Sequence, residues 1–442
     1  MIKSSLGVVV SCAALLSAFA PQASAEKQNV PTSTLSGVKQ AKLAGGYKRI
    51  AGVVDVVAFP AADGRDQADA LQAALDTLQQ GQRLVLTPGT YVVGHSLEVR
   101  NRSVIVSGYG ATFVATNAND QSIVMTGRNS TVAGLTLLGT GDARLETVTS
   151  TKVAVSGAGI QVLDVTIQGG ASVGIFVSGG TSVAIAGNKV LSTLADGIHI
   201  TGGSSNVLVK DNTVTGTGDD MLAVVSYQKD GALNRNVLLT GNTLSGNPWG
   251  RGMSVVGGAD VTMTGNTVQG VQKAAGILIA QEDGYRTYGV SNVLIMSNVI
   301  TDIENSPNPG NDLPPAQHAA IDMNTGSGLV NLVSVTGNQI ARANFGGVRA
   351  LGNVCQYRVS GNAFSAIAGA PVSLQSRGCS PSQIICGANT LDGSTLAPPV
   401  GCSATGTLSV TGADASRLPQ IRTALRQTQQ TSLDRKRAVN RS

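Results

Sequence analysis

Short runs of apolar residues alternate with polar positions over most of the chain, and they recur at a regular interval. Runs such as Val183–Ile185, Ile198–Ile200 and Val207–Val209 have the length and the period of two that are typical of short β-strands with alternate side chains buried. A Gly-Asn, Asp-Asn or Ser-Asn pair precedes a β-branched run at Asn188, Asn212, Asn242, Asn266, Asn298, Asn338 and Asn362. The gaps are 24, 30, 24, 32, 40 and 24 residues. A unit of 24 residues with insertions predicts a parallel β-helix, in which each turn contributes about three short strands.

The recurring asparagines are predicted to be structural. An asparagine at the same corner of every turn can hydrogen-bond to its neighbours above and below and so form a ladder. Surplus residues in the longer intervals must leave the stack as loops, and loops on a rigid solenoid usually shape its binding face. Three such surpluses fall around Tyr227–Arg235, Gln281–Tyr288 and Glu304–His318.

A helical pattern precedes the repeat. Apolar residues from Ala70 to Leu78 recur at helical spacing, which predicts an amphipathic helix from Asp66 to Gln79 between two strands. We expect this helix to cap the solenoid, because an uncovered first turn would expose the core and unpaired strand edges. The alternative is a small partner-binding module. The segment resembles the N-terminal part of β-helices of the pectate lyase superfamily, where such a helix has the capping role.

The composition agrees with a long, thin core. The 442 residues include 55 glycines, whereas aromatic residues make up 3% and charged residues 13%. The net charge is +5, but basic and aromatic residues are not interleaved as nucleic-acid binding requires. We therefore expect no nucleic-acid partner.

The N-terminus predicts export. Residues 1–25 have a basic start, an apolar run and the small-residue cleavage site Ala23-Ser24-Ala25 of a secretory signal peptide. No second apolar stretch of about 20 residues follows, so we expect no membrane span and a secreted or periplasmic protein. The predicted organisation continues with a flexible lead-in (26–46), the capped β-helix (47–405) and a basic C-terminal tail (406–442). We expect a monomer.

Four cysteines remain after Cys12 leaves with the signal peptide, an even number that suits an oxidising compartment. Cys355 and Cys379 are 24 residues apart, one turn of the stack, so their Cα atoms should lie near disulfide distance. We favour Cys355–Cys379 with Cys386–Cys402 over the two other connectivities.

Three aspartates are the main candidates for chemistry. Asp196 begins an Asp-Gly-Ile-His-Ile string, and Asp219 and Asp220 follow Gly218. Asp196 and Asp219 are 23 residues apart, which places the acids on neighbouring turns, about 4.8 Å apart along the stack. Carboxylates that close are costly unless they are solvated, share a proton or bind a cation, so they predict an acid–base centre. The alternative is that these aspartates merely occupy turns.

The strings Asp-Gly-Ile-His-Ile and, one turn later, Gly-Thr-Gly-Asp-Asp resemble the signature of polygalacturonases and related glycoside hydrolases of family 28. The resemblance implies a right-handed parallel β-helix that cleaves pectin-like chains with inversion. It implies Asp219 as general acid, with Asp196 and Asp220 activating water. Because consecutive residues of a flat strand point to opposite faces, Asp219 and Asp220 can act together only if the chain bends, and Gly216 and Gly218 allow that bend.

Further residues are candidate substrate contacts. His199 alternates with Ile198 and Ile200, which places it on the outer face beside Asp196. Trp249 is the only tryptophan; it is expected either to stack on a sugar or to fill the core. Arg251 stands where the family carries His-Gly, and apolar residues replace the family's Arg-x-Lys, so Lys273 or Arg286 would have to bind a substrate carboxylate.

The sequence thus predicts an exported polysaccharide-active enzyme, an inverting glycoside hydrolase without metal or cofactor. The first alternative is a lyase or epimerase acting on uronic-acid polymers, in which calcium is possible. The second is a non-catalytic polysaccharide-binding solenoid. Three scattered histidines and the absence of a tight Cys/His cluster argue against zinc.

Overall fold

The computed structural model describes residues 56–305 and 314–422, and it forms a parallel β-helix, as predicted. The predicted signal peptide and lead-in lie outside the described residues, as do residues 423–442 of the predicted tail. Three sheets run along the solenoid, with 13, 13 and 11 strands, and successive strands along the chain pass from one sheet to the next. No helix in the described part of the chain is long and apolar enough to cross a membrane.

Sheets A and B meet at the corner that carries the asparagines. Sheet A consists of Val56–Phe59, Arg83–Leu86, Ile105–Ser107, Thr131–Ala133, Gln161–Leu163, Ala184–Ala186, Ser205–Lys210, Arg235–Thr240, Gly258–Thr264, Val290–Met296, Val330–Thr336, Val354–Ser360 and Ile384–Gly387. Sheet B consists of Gly89–Val93, Ala111–Ala115, Thr136–Leu138, Thr166–Gln168, Lys189–Leu191, Thr213–Thr215, Thr243–Asn247, Thr267–Val271, Val299–Ile303, Gln339–Ala343, Ala363–Ser365, Thr390–Leu391 and Ser394–Thr395. The last two strands of sheet B pair antiparallel and end the stack.

Sheet C carries the candidate site. It consists of Leu97–Val99, Ile123–Met125, Val153–Val155, Ile175–Ser178, Ile198–Thr201, Leu222–Val225, Met253–Val256, Ile277–Gln281, Ile321–Thr325, Gly346–Gly352 and Ala370–Ser376. Short 3-10 helices lie at Val148–Ser150, Gln228–Asp230, Pro381–Gln383 and Ala415–Arg417.

The core is a continuous column of Val, Ile and Leu, because every second residue of each short strand points inward. At the N-terminal end this column is covered by the predicted helix, which spans Ala68–Thr77 rather than Asp66–Gln79. The helix buries Leu71 and Leu75 against the first turns, and its role as a cap is confirmed. It begins where Asp66 accepts a hydrogen bond from the backbone N–H of Ala68 at 3.0 Å, a side-chain contact that satisfies a free helix-terminal donor.

The asparagine ladder is confirmed. Each side-chain amide donates to the Oδ1 of the asparagine one turn further on, at 2.9 to 3.0 Å, through Asn188, Asn212, Asn242, Asn266, Asn298, Asn338, Asn362 and Asn389. The same Oδ1 atoms accept from backbone N–H groups, as Asn266 does from Asn242 at 3.0 Å. All eight are buried, so the ladder satisfies polar groups that water cannot reach.

Both predicted disulfides are present. Cys355 is bonded to Cys379, with Cα atoms 5.6 Å apart, and Cys386 to Cys402, with Cα atoms 5.9 Å apart. The first bond joins neighbouring turns, as its spacing of 24 residues predicted. The two bonds fasten the last turns of the solenoid.

Residues 406–422, the part of the predicted basic tail that the structure describes, follow a defined course. They lie along the outside of sheet A and run back toward its N-terminal strands, and Ile421 packs against an apolar cluster on that face. The hydrogen-bonded pairs, in chain order, are Gly406 with Arg358, Thr411 with Asn292, Asp414 with Asn236 and Arg422 with Thr131. Polar side chains of sheet A therefore bind this segment even though it has no repeat of its own.

Candidate active site

The outer face of sheet C carries a row of side chains in register. His199 is paired with Ala223, Ala223 with Ser254, and the row continues through Leu278 to Asp322. A second row lies in the turn that precedes each strand, three residues earlier in the chain. There the backbone N–H of Gly197 donates to the carbonyl of Asp220, and that of Met221 to the carbonyl of Arg251, both at 2.9 Å. Asp196, Asp220 and Arg251 therefore occupy the same position on successive turns.

The bend that Asp219 and Asp220 require is confirmed. Both lie outside regular strand, in the turn before Leu222–Val225. Gly218 passes so close to the carbonyl of Leu194 on the turn below that a side chain would collide with it. The carbonyl of Asp219 accepts hydrogen bonds of 2.7 Å from Thr217 Oγ1 and from Asn247 Nδ2. These contacts fix the bend, which lets two consecutive carboxylates belong to one site.

Asp196 is held by a histidine. Its Oδ2 is hydrogen-bonded to His199 Nδ1, and the imidazole stacks on Phe176 with ring centroids 5.6 Å apart. The side chains of His199 and Asp196 are only 2% and 5% exposed. The prediction that His199 lies on the outer face beside Asp196 is confirmed, and the pair fixes the orientation of the carboxylate.

Asp219 is the most accessible of the three acids, with 20% of its side chain exposed. Its Oδ2 accepts a hydrogen bond of 2.9 Å from Arg144 Nη1. Burial and the negative charge of Asp196 raise the pKa of Asp219, whereas the Arg144 and Arg251 guanidinium groups oppose that rise. The net direction is upward, so this carboxyl group holds a proton to a higher pH than an ordinary aspartate.

Asp220 is more deeply placed. Its Oδ2 accepts from Ser254 Oγ at 2.6 Å, and its Oδ1 accepts from the backbone N–H of Arg251 at 2.8 Å. Burial raises the pKa of Asp220 to about 7; Arg251 opposes this rise, and the charges of Asp219 and Asp196 add to it. Because the acids influence one another, the protons belong to the cluster rather than to one residue.

Arg251 lies between two acids. Its Nη1 is 3.5 Å from Asp220 Oδ1, and its Nη2 donates to Glu282 Oε1 at 2.8 Å. Burial lowers the pKa of this guanidinium, but the surrounding carboxylates outweigh that effect and raise it. Arg251 is thus a fixed cation beside the acid cluster.

Two loops flank the cluster along the solenoid axis; we call them the covering loops, residues 139–152 and 282–289. The first contributes Arg144 and buries Val148 against Phe176 on the outer face of sheet C. The second contributes Glu282 and packs Tyr285 against an apolar patch that includes Leu278. The acids therefore lie on the outer face between two covered apolar patches.

The other predicted substrate contacts are placed differently. Trp249 is half-buried on the turn beside Asp219, where its backbone N–H donates to Asn247 Oδ1 at 2.8 Å. Arg286 is exposed on the second covering loop. Lys273 is only 2% exposed. The burial of Lys273 could not be predicted, because a single unit of the repeat does not show whether a residue in the turn before a strand is buried or exposed.

Several residues of the site were missed by sequence reasoning. Arg144 belongs to no recognisable motif. The only signal is the spacing of paired strands: Thr131 pairs with Gln161 in sheet A, and this gap of 30 residues, longer than the repeat, marks the first covering loop as an insertion. Further along the same face, Arg349 Nε lies 2.7 Å from Asp322 Oδ2. Glu304 accepts from the backbone N–H of His318 at 3.0 Å, and burial raises the pKa of Glu304 to about 7.

Within the described residues, no group of three or more His, Cys, Asp or Glu side chains is arranged to hold a metal ion. The acids of the cluster instead have arginine, serine, histidine and backbone donors as partners.

The sequence profile of the family described as right handed beta helix region matches residues 94–268 and 153–364. The chain belongs to this family, which confirms the predicted fold class and its hand. No curated protein shows significant sequence similarity to it.

Solved structures with the same fold include carbohydrate-active proteins. The A-module of the mannuronan C-5 epimerase AlgE6 from Azotobacter vinelandii is 18% identical, with a TM-score of 0.54 over 76% of this chain and 96% of the module. The catalytic domain of Agl-KA is 17% identical, with a TM-score of 0.56 over 75% of this chain and 69% of that one. The catalytic domain of a GH87 alpha-1,3-glucanase in complex with nigerose is 16% identical, with a TM-score of 0.53 over 72% and 66%. At these identities the likeness concerns the fold.

Proposed function

We propose that the protein is a polysaccharide-active enzyme, and that it is an inverting glycoside hydrolase with Asp219 as general acid and with Asp196 and Asp220 activating the water. One observation carries this proposal: three carboxylates from two neighbouring turns converge on the outer face of sheet C, each with a different fixed partner. Such partners hold acids in separate environments, as acid and base roles require. The fold neighbours include a glucanase and a polymer epimerase, which is consistent with this class.

The proposed roles follow from exposure and charge. Asp219 has 20% of its side chain exposed, against 5% for Asp196 and 6% for Asp220, so it is best placed to reach a glycosidic oxygen. Its raised pKa keeps a proton available for the leaving group. Asp196, oriented by His199, supplies an acceptor for water activation; Asp220, oriented by Ser254, adds a second one once it has lost its proton, because burial raises its pKa to about 7.

A second candidate is favoured by the His199–Asp196 pair. An imidazole that is oriented by a carboxylate can abstract a proton from carbon next to a sugar carboxylate, which is the first step of elimination or epimerisation of a uronic-acid polymer. Elimination must then protonate the leaving glycosidic oxygen, and epimerisation must return a proton to the opposite face of that carbon; the protonated Asp219 could supply either proton.

The products distinguish these candidates and the non-catalytic alternative. The purified protein is incubated with a panel of acidic and neutral polysaccharides, and reducing ends and absorbance near 230 nm are recorded. A hydrolase gives reducing ends without the absorbance, and a lyase gives both. An epimerase and a binding protein give neither, and a changed uronic-acid composition of the recovered polymer identifies the epimerase. Absorbance at 230 nm with every active substrate would overturn the hydrolase proposal.

Export is part of the proposal. Two disulfides in the described residues suit an oxidising compartment, and the predicted signal peptide would direct the chain there. Fractionation of cells that express the full chain, followed by N-terminal sequencing of the product, tests this. A protein that stays in the cytoplasm and begins at Met1 would contradict it.

A further inference from the structure

We infer that the outer face of sheet C between the two covering loops, here called the groove, accepts an uncharged polysaccharide rather than a polyuronic acid; this inference rests on the proposed function and names its substrate class. The reason is the charge state of the groove. Three arginines face the acid cluster or the outer row of sheet C, and each is already paired with a carboxylate of the protein.

The three pairs are short. Arg144 Nη1 lies 2.9 Å from Asp219 Oδ2, Arg251 Nη2 lies 2.8 Å from Glu282 Oε1, and Arg349 Nε lies 2.7 Å from Asp322 Oδ2. Recognition of a sugar carboxylate depends on a guanidinium or ammonium group whose donors are free to meet it, usually in a bidentate pair. A uronate that took over one of these arginines would leave a carboxylate of the protein without its cation; for Asp322, which is 0% exposed, that carboxylate would be buried and unpaired, which is strongly unfavourable.

Further acids make the groove more negative. Asp196 is held by His199 rather than by an arginine, and Asp230 lies near the same histidine. Burial raises the pKa of Asp230, and the Lys229 ammonium group beside it opposes this rise. A chain that carries one negative charge per sugar would be repelled by these groups, since like charges brought together across an interface cost several kcal/mol.

The lysine that the sequence offered as a partner for a sugar carboxylate presents little surface to a ligand, because Lys273 is 2% exposed. Arg286, exposed on the second covering loop, is the remaining arginine of the two covering loops. Arg286 does not belong to the row of outer side chains in register on sheet C, so it is not held in place beside the acids.

What the groove does offer suits hydroxyl groups and apolar sugar faces. Arg349 keeps 22% of its side chain exposed while Asp322 fixes its position. Two half-buried aromatic residues lie nearby: Trp249 on the turn beside Asp219, and Tyr285 on the second covering loop. Aromatic rings supply rigid apolar surface, and ion-paired planar groups supply donors and acceptors without a net charge.

The test separates substrate class from catalysis. Binding of the Asp196→Asn variant, which keeps all three arginine–carboxylate pairs, is measured by affinity electrophoresis against uncharged glucans, galactans and mannans and against polygalacturonate and alginate, at 50 and 500 mM salt. Reducing-end release by the wild-type protein is measured on the same polymers. We expect at least tenfold tighter binding to one of the uncharged polymers, with less than a twofold change between the two salt concentrations, because no ion pairs form with the ligand.

Variants at two arginines sharpen the result. Arg286→Ala should leave binding to the uncharged polymer within twofold of the parent protein. Arg342→Ala, which removes the exposed Arg342–Asp302 pair of sheet B, is the matched surface control. Binding confined to polyuronates, weakened by salt and lost with Arg286→Ala, would overturn the inference, as would failure to bind any uncharged polymer. Binding of an uncharged polymer without release of reducing ends would instead contradict the hydrolase proposal, while the inferred substrate class would still hold.

Discussion

Arg144 donates a hydrogen bond of 2.9 Å to Asp219 although the two residues are 75 positions apart in the chain. Sheet C shows how they meet: Arg144 precedes the strand Val153–Val155, and Asp219 precedes Leu222–Val225, three strands further along the sheet. The first covering loop thus rises along the outer face past the intervening turns. A residue that the repeat does not include thereby becomes a direct neighbour of the proposed general acid.

The first prediction concerns the proton on Asp219. Arg144→Met removes a positive charge that lowers the pKa of Asp219, so that pKa should rise further. If deprotonation of the acid sets the alkaline limb of activity, the limb should move to higher pH, and turnover should fall about tenfold or more through lost positioning. The measurement is the rate of reducing-end release from pH 4 to 10.

Two further variants control that experiment. Arg144→Lys should restore part of the wild-type profile because it keeps the charge. Arg128→Met removes an exposed arginine away from the acid cluster and should leave the profile unchanged. An unshifted alkaline limb in Arg144→Met would mean that Asp219 does not supply the catalytic proton.

The second prediction concerns stability and pH at Asp220. The folded-state pKa of about 7 is above the usual value of 3.8, so the folded protein binds this proton more tightly than the unfolded chain. The stability that results is complete below about pH 4 and is lost as the pH rises through about 7. Asparagine has no proton to lose in this pH range, so Asp220→Asn should keep this stability. The variant should therefore be more stable than the wild type at pH 8, by up to about 4 kcal/mol.

Urea unfolding at pH 4, 6 and 8 measures this difference. The control is Asp302→Asn, because Arg342 holds the pKa of Asp302 below its usual range and the sign reverses. That variant should be equal to or less stable than the wild type at pH 8, by about 0–1 kcal/mol for a surface pair. An Asp220→Asn protein that is less stable than the wild type at every pH would show that Asp220 is a structural aspartate.

The third prediction concerns the asparagine ladder. Asn266→Ala removes a buried side chain that accepts from Asn242 and donates to Asn298, and it leaves several buried polar groups without partners. We expect a loss of about 3 kcal/mol or more in the free energy of unfolding. The exposed Asn119 is the matched control, and Asn119→Ala should change the free energy of unfolding by less than about 0.5 kcal/mol. Equal effects of the two substitutions would contradict a structural ladder.

The fourth prediction concerns the disulfides. Peptide mapping without reduction should link Cys355 to Cys379 and Cys386 to Cys402. Replacing Cys355 and Cys379 by alanine should lower the free energy of unfolding by about 2–4 kcal/mol, because the unfolded chain is no longer constrained. Four free thiols in the purified protein would argue against both the pairing and export.

The repeat could be predicted because its cause is local. Each Gly-Asn or Asp-Asn corner is followed by a short alternating run, so one unit already contains the hydrogen-bonding and burial pattern of the whole stack. Asn389 was nevertheless missed, because Ala388 precedes it in place of glycine although it adopts the same left-handed backbone, with φ of 53°. A single residue of the corner can thus vary while the ladder continues.

The site was predictable only where it follows the repeat. The spacing of Asp196, Asp219 and Asp220 placed them on neighbouring turns, and the structure brings them together. Arg144 lies on an insertion, whose path over the sheet depends on packing that no local pattern records. The course of residues 406–422 along sheet A is hidden for the same reason, since its partners, such as Asn236 and Asn292, lie far away in sequence.

The most direct test of the account is a comparison of turnover and binding in Asp196→Asn, Asp219→Asn and Asp220→Asn on one polysaccharide that the wild-type protein cleaves. Amide replaces carboxyl at nearly constant shape, so the lost contribution is proton transfer. Turnover should fall by about 10²–10⁴ in each variant, while binding of the polysaccharide stays within a few-fold of the wild type. Wild-type turnover in all three variants would place the catalytic acids elsewhere and contradict the account.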